Sequence, residues 1–219
     1  LLQKTPYDPI NDFLPITMVS REVNVLVVHP SLPVRSVKEL IALAKARPGV
    51  LNYGSGSTGS STHLSAELFK AMATVDMARI PYKGGGPALI DLLGGQFDLM
   101  FATAISVTPH VKSGRLRALA VTSMQPSTLN PDLPPVAAAG LAGYEFVGLD
   151  AVLAPAKTPA AAVNRLNQEM VRFLRSADAR ERFLATGIEP VASTPEELAA
   201  VMKADTAKIG KLIKDTGIK

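Results

Sequence analysis

The sequence predicts an α/β fold built on a mostly parallel sheet with helices on both faces. Short β-branched runs alternate with segments whose apolar residues recur at helical spacing, and Gly- or Pro-containing turns separate them. Several helical segments also begin with a capping residue. With 219 residues, 47% of them hydrophobic and 19% charged, the chain has enough apolar residues to bury a core in one or two domains.

The first elements illustrate the alternation. Residues 24–29 form a β-branched run that Pro30 ends, and Ser36 then opens a helix in which Glu39 completes a capping box. Further strands are predicted at 51–53, 77–80, 97–101, 116–121 and 146–153, and further helices after Thr62, from Pro87, near Pro109, around Val163 and from Thr194.

The segment from Thr122 to Tyr144 interrupts this rhythm. It contains four prolines, which permit neither a long helix nor a central strand, so it is predicted to cross the molecule irregularly. After the strand that ends near Ala154 the chain becomes helical to its end. This change in composition indicates a boundary between structural units.

The segment Tyr53-Gly-Ser-Gly-Ser-Thr-Gly-Ser-Ser-Thr-His63 connects a predicted strand to a predicted helix. Gly54, Gly56 and Gly59 are expected to allow positive φ and close approach of a ligand to the backbone, while the hydroxyl groups add donors. The helix that follows directs its unpaired N–H groups at the same place. We therefore predict an anion-binding turn, called the Gly/Ser turn below, formed by Ser55, Gly56, Ser57, Thr58, Gly59, Ser60 and Ser61. A solvated loop with an ordinary N-cap is the alternative interpretation.

Composition excludes several other functions. The excess of 23 Lys and Arg over 19 Asp and Glu is scattered singly along the chain, which has 5% aromatic residues and no Trp, so nucleic-acid binding is not expected. No apolar run reaches the length of a membrane span, and the given chain does not start with a signal peptide. His29, His63 and His110 fall in separate elements and Cys is absent, so neither a metal site nor a cofactor is expected.

An enzyme is the alternative interpretation. The pattern Gly54-x-Gly56-x-x-Gly59 between a strand and a helix matches dinucleotide-binding loops, but the acid such loops need at the end of the next strand is missing, since Asp76 precedes that strand. A triphosphate-binding loop would need Lys in place of Ser60. A Ser nucleophile would need a Gly-x-Ser-x-Gly elbow, which the sequence lacks.

A series of motifs runs in order along the chain: Tyr7-Asp-Pro-x-x-Asp-Phe13, Asn24-Val-Leu-Val-Val-x-Pro30, Val37-Lys-Glu-Leu40, Leu51-Asn-Tyr-Gly54, Pro81-Tyr-Lys-Gly84, Asp91-Leu-Leu-Gly-Gly-Gln96, Gly114-Arg-Leu-Arg-Ala-Leu-Ala-Val121, Leu153-Ala-Pro155 and Thr194-Pro-Glu-Glu197. Together with the Gly/Ser turn, this series resembles the substrate-binding receptors of tripartite tricarboxylate transporters, the TctC or Bug family. The resemblance covers essentially the whole chain.

The resemblance implies a periplasmic receptor with the type II periplasmic binding protein fold and no enzymatic activity. Two α/β lobes of mostly parallel sheet flanked by helices would close on a small organic carboxylate and present it to the membrane subunits of the transporter. Residues 1–20 and 151–219 would belong to the first lobe and residues 21–150 to the second. In a second loop Tyr82, Lys83 and Gly84 would contact the ligand, although a packed aromatic ring and a solvated lysine are equally open interpretations.

The chain departs from the family in three places. Members usually carry a signal peptide and a further segment before the Tyr7-Asp-Pro9 motif, so we expect the first lobe to be incomplete here and the chain to self-associate through it. Many relatives have Phe-Asp-Asn where this chain has Phe101-Ala-Thr-Ala104, which places Thr103 at the site and argues against an amino-acid ligand. Asp150 is either a cleft-facing acceptor or a solvated turn acid.

Overall fold

The computed structural model describes residues 2 and 5–218, which form two compact units. The first unit comprises Leu1–Glu22 and Gly148–Lys219, and the second comprises Val23–Val147. Two strands, β1 (Phe13–Val28) and β6 (Val147–Pro155), carry the chain from one unit into the other. That these units are parts of two receptor lobes stays a prediction.

The second unit is an α/β unit around a mixed sheet with the strand order β3-β2-β4-β1-β5. Its elements besides β1 are α1 (Val37–Ala46), β2 (Asn52–Ser55), α2 (Ser61–Ala73), β3 (Ala78–Pro81), α3 (Gly85–Leu93), β4 (Leu99–Thr103), α4 (Ala104–Lys112), β5 (Arg117–Val121) and α5 (Val136–Ala139). The α/β class predicted from the sequence is confirmed. The sheet is mixed where a mostly parallel one was predicted, because β1 runs antiparallel to both β4 and β5, while β2 is parallel to β3 and β4.

Helices cover both faces of this sheet. Met100 and Ala102 of β4 lie in a buried cluster with side chains of α3 and α4. Phe101, which lies between them, packs on Phe69 of α2 with ring centroids 5.8 Å apart. Because successive side chains of a strand point to opposite faces, α2 covers one face and α3 and α4 cover the other.

Two predicted helix starts behave differently. Ser36 accepts the Glu39 N–H as predicted, but the Glu39 carboxylate accepts the N–H of Arg35 at 2.7 Å, so only half of the predicted capping box forms. At Thr194 the complete box forms, with Pro195 as the first helical residue. The helix that begins at Pro195 therefore starts with two backbone N–H groups, those of Thr194 and Glu197, each bonded to the other residue's side chain.

The first unit contains the first part of β1, β6 and four further elements: α6 (Ala160–Leu174), α7 (Ala177–Ala185), β7 (Glu189–Pro190) and α8 (Pro195–Thr216). Both β6 and β7 pair with β1. Asn167 of α6 donates to the carbonyl oxygens of Ile16 and Ser193 at 2.8 and 2.9 Å, which ties this helix to the strand. A largely apolar cavity of about 230 Å³ lies in this unit, lined by Pro9, Ile10, Leu149, Ala151, Leu198, Val201, Met202, Asp205, Thr206 and Ile209.

No helix within residues 2 and 5–218 combines the length and the hydrophobicity needed to cross a membrane.

Gly54, which lies in β2 just before the Gly/Ser turn, has a packing role. Of Gly54, Gly56 and Gly59, only Gly59 has a positive φ, of +83°, so the expectation of positive φ at all three is wrong. A Cβ on Gly54 would lie 2.2 Å from Cζ of the buried Phe97 ring. The absence of a side chain at Gly54 therefore makes room for Phe97 and not for a ligand.

We predict that Gly54→Ala lowers the free energy of unfolding by about 1–3 kcal/mol, because the new methyl group overpacks against Phe97. Chemical denaturation measures this, and Gly54→Ala/Phe97→Leu should regain part of the loss. Gly86→Ala is the matched control, since a Cβ there meets nothing within 4 Å. Equal stability of Gly54→Ala and the unmodified chain would contradict the assignment.

Candidate functional site

Three helices of the second unit begin at one edge of its sheet. Because β2, β3 and β4 run parallel, their carboxyl ends meet there, and α2, α3 and α4 follow with the N-caps Ser60, Gly84 and Thr103. A Cβ on Gly56 would lie 3.6 Å from the carbonyl carbon of Gly84, so the turns after β2 and β3 adjoin. Helix N-termini carry partial positive charge, which makes this edge favourable for an anion.

The Gly/Ser turn pairs some of its backbone donors with side chains of α2. The Gly56 N–H donates to Oγ1 of Thr62, and the Gly59 N–H donates to Nδ1 of His63, both at 3.1 Å. The Ser60 N–H donates back to the Ser57 carbonyl at 3.0 Å. These bonds fix the shape of the turn without any external partner.

Other backbone donors of the turn have no such partner. Within the described part of the chain, no acceptor contacts the N–H groups of Ser57, Thr58, Ser61 and Thr62. Ser57 and Thr58 are exposed, so their donors are accessible from solvent. The first-turn donors of α2 are the groups that helices leave unpaired, and they suit a negatively charged oxygen.

Arg79 of β3 joins the site and was not predicted from the sequence. Its Nε donates to Ser55 Oγ at 2.8 Å, its Nη2 to the Gly56 carbonyl at 2.9 Å and its Nη1 to Thr58 Oγ1 at 3.1 Å. The register of β2 and β3, which places Arg79 beside Tyr53, brings the guanidinium under the turn. A basic residue inside the otherwise apolar run 77–80 is the signal in the sequence that could have found it.

His63 is buried at the start of α2 and is neutral. Burial, and next the positive charge of Arg79, lower the pKa of His63 from 6.5 to about 4. Because Nδ1 accepts the Gly59 N–H, the proton of the neutral ring lies on Nε2. Because His63 is neutral, it adds no charge to the turn, and the guanidinium of Arg79 supplies the positive charge there.

The buried acid of α2 has its own partners. Tyr53 donates its hydroxyl to Glu67 Oε1, and Lys70 Nζ lies 2.9 Å from the same oxygen. Lys70 also lies over the Tyr53 ring, 5.5 Å from its centroid. Burial, and then the bond to the Glu67 carboxylate, raise the pKa of the Tyr53 hydroxyl. The charge of Glu67 is therefore balanced by Lys70.

The second predicted loop contributes less side-chain chemistry. The Tyr82 hydroxyl donates to Asp91 Oδ2 at 2.7 Å and its ring packs on Phe97, with centroids 5.8 Å apart. Burial and this bond raise the pKa of Tyr82 to about 12. Lys83 is exposed and, among the residues that the structure describes, forms no ion pair or hydrogen bond. Gly84 caps α3 next to the Gly/Ser turn.

The end of β4 brings Thr103 to the same edge. Its hydroxyl donates to Ser106 Oγ at 3.0 Å, and its register partner on β1 is Asn24. Asn24 is fully buried and donates to Ser65 Oγ, and its Oδ1 is a buried oxygen with no partner in the described chain. Ala102 is buried in the apolar cluster on the other face, so an acid at 102 would enter that core and only position 103 lies at the edge.

Asp150 belongs to the first unit, where Ser20 Oγ donates to its Oδ2 at 2.5 Å. The Gly/Ser turn, Gly84 and Thr103 thus lie at one sheet edge of the second unit, and Asp150 has a local partner in the other unit. No group of three or more metal-ligating side chains comes together in the part of the chain that the structure describes.

Comparisons with known proteins identify the family of the chain. The profile of the TctC family, described as the tripartite tricarboxylate transporter family receptor, matches residues 1–218. The chain is 35% identical to BugT of Bordetella pertussis over 219 residues, which are 100% of this chain and 67% of BugT. The chain thus spans about two thirds of the length of BugT, and it spans 63% of the length of a curated relative from Pseudomonas sp..

Solved structures agree with this assignment. Rpa4515 of R. palustris, solved with adipate, has a TM-score of 0.85 and 37% identity, covering 100% of this chain and 73% of Rpa4515. MatC of Rhodopseudomonas palustris, solved with bound malate, has a TM-score of 0.80 and 25% identity, covering 97% of this chain and 74% of MatC.

The resemblance inferred from the motifs is confirmed. The family consists of receptors, which supports the non-enzymatic interpretation and gives no support to a dinucleotide- or phosphate-dependent enzyme. With a family profile that spans nearly the whole chain and structural neighbours of the same kind, this protein belongs to the TctC family of tripartite tricarboxylate transporter receptors.

Proposed function

We propose that this chain is the ligand-binding part of a periplasmic receptor that captures a small organic carboxylate for a tripartite tricarboxylate transporter. The observation that carries the proposal is the set of N–H donors in the Gly/Ser turn and the first turn of α2 that have no acceptor within the described chain. A carboxylate is an acceptor-only group, so it matches a surface that offers donors. The transporter's membrane subunits are the proposed partners and the periplasm the proposed location, by family membership.

The electrostatics of the turn support a negatively charged ligand. The N-terminus of α2 favours an anion by about 0.3–1 kcal/mol when exposed and about 2 kcal/mol when partly buried. The guanidinium of Arg79 adds a full charge beside the same turn. Adipate and malate, the ligands of two structural neighbours, belong to the proposed class.

Plain and hydroxylated carboxylates are the proposed ligands in preference to amino acids. An ammonium group bound near Thr103 would need an acidic partner, and position 103 offers a hydroxyl that is bonded to Ser106. An ammonium taken out of water without a partner loses several kcal/mol of hydration. Self-association of the chain stays a separate prediction, which sedimentation at increasing concentration tests.

We predict that adipate and malate bind the chain with dissociation constants of about 1 mM, since exposed donors such as those of Ser57 and Thr58 remain in competition with water. Titration calorimetry measures the constants, with hexylamine as a cationic control of similar length. Tighter binding of glutamate or aspartate than of adipate and malate would contradict the proposed ligand class.

We predict that Gly59→Val abolishes carboxylate binding. Gly59 has a φ of +83° that a β-branched residue resists, and its N–H bond to His63 holds the turn in shape. Gly114→Val is the matched control, because Gly114 has a similar φ of +73° with open space around it and lies after α4. Both variants should be strained, but only Gly59→Val should lose binding in calorimetry, and unchanged affinity would remove the turn from the site.

The state of His63 links the turn to pH. Its pKa falls from 6.5 to about 4 on folding, so the folded protein favours the neutral ring. Above pH 6.5 both states are neutral and the full stability is present. Between pH 6.5 and 4 the unfolded chain takes up a proton that the folded protein does not, so stability falls as the pH falls. Protonation of Nδ1 would also remove the acceptor of the Gly59 N–H.

We predict that acidification from pH 6.5 to 4 lowers the free energy of unfolding through His63 by an amount on the order of 2 kcal/mol. His63→Asn, whose Oδ1 can still accept the Gly59 N–H, should show a correspondingly smaller loss in urea denaturation. His110→Asn, in α4, controls for the removal of a histidine. An identical pH dependence of stability in His63→Asn and the unmodified chain would refute the assignment.

A further inference from the structure

We propose that Arg79 is the residue that positions the Gly/Ser turn and supplies the charge that selects a carboxylate ligand. The inference rests on the proposed function and deepens it by naming a determinant of specificity. The guanidinium is the one cationic group that bonds the turn among the residues that the structure describes. Its role divides into a positioning part, which needs no ligand, and a charge part, which does.

The positioning part follows from the hydrogen bonds. Three groups of the turn, Ser55 Oγ, the Gly56 carbonyl and Thr58 Oγ1, accept from three different nitrogens of Arg79. A planar fork of this kind fixes the relative positions of its acceptors, which three independent donors would not do. The turn between the strand and α2 is thereby held from the side of β3.

The charge part follows from the unused N–H donors of Arg79 and from its lack of an acidic partner in the described chain. A guanidinium has five N–H donors, and three are used here, so one N–H remains on each terminal nitrogen. Arg79 is half-buried and forms no ion pair with any acid in the described chain, while the nearby Glu67 is paired with Lys70. A half-buried cation without a counter-ion is stabilised by a bound anion.

The access to this charge is from the turn. The bond from Nη1 to Thr58 is exposed, whereas the bonds to Ser55 and Gly56 are partly buried. The outer end of the guanidinium therefore lies at Thr58, in the part of the turn where the N–H groups of Ser57 and Thr58 have no acceptor within the described chain. A carboxylate bound to those donors gains the permanent charge of Arg79 at short range.

Variants of Arg79 in the full chain test both parts. Arg79→Gln should weaken adipate binding by about tenfold to a hundredfold and Arg79→Lys by less, because lysine keeps the charge but not the fork. The salt dependence of adipate affinity should shrink in Arg79→Gln and persist in Arg79→Lys, a readout that a purely structural residue would not change. Hexanoate, which carries one carboxylate, should lose affinity in Arg79→Gln by a similar factor.

The ligand-free readout is amide hydrogen exchange within residues 56–60, measured at the hydrogen-bonded N–H groups of Gly56, Gly59 and Ser60, and it should accelerate in both Arg79 variants. Arg117→Gln is the matched control, since Arg117 is also half-buried and donates to the carbonyls of Leu32 and Val34, away from the turn. This control should change neither the exchange at 56–60 nor adipate affinity.

The outcomes separate the two claims. Unchanged exchange at 56–60 in Arg79→Gln would overturn the positioning role, and unchanged adipate affinity with an unchanged salt dependence would overturn the charge role. If the unmodified chain bound neither adipate, malate nor hexanoate, the proposed function and the charge role would both fall. Hydrogen exchange would then still decide the positioning role by itself.

Discussion

The parallel alignment of β2, β3 and β4 is the constraint on which the site depends. Parallel strands must be joined by crossovers, here α2 and α3, so each strand ends at the same edge and each following helix begins there. The N-termini of three helices are thereby collected at one place. The antiparallel β1 does not disturb this arrangement and adds Asn24 to the edge through its pairing with Thr103.

Of the described charged groups around α2, the guanidinium of Arg79 is the one available to a ligand. Glu67 and Lys70 pair with each other and with Tyr53, and His63 is held neutral by burial and by its positive neighbour. Among the described residues, Arg79 is thus the charge at the Gly/Ser turn that has no counter-ion. Such an imbalance favours a bound anion, because a charge that was already paired would gain little from a carboxylate.

Gly54, just before the Gly/Ser turn, and Gly59, within it, have different roles. Gly54 makes room for the Phe97 ring, and this ring packs on Tyr82. Phe97 therefore contacts residues at the ends of both β2 and β3. Gly59 supplies the positive φ that directs its N–H to His63. Packing and backbone conformation therefore place different demands on residues that look equivalent in the sequence.

The sequence by itself determined the α/β class, most strand and helix positions, the Thr194 cap and the family, because these depend on local periodicity, capping chemistry and the order of motifs. It also located the Gly/Ser turn, since Gly, Ser and Thr between a strand and a helix have a local meaning. Only the tertiary structure decided the direction of β1, the packing role of Gly54, the burial of Ala102 and the position of Arg79. Each of these depends on which strands are neighbours and in what register, and such long-range pairing leaves no periodic signal in the chain.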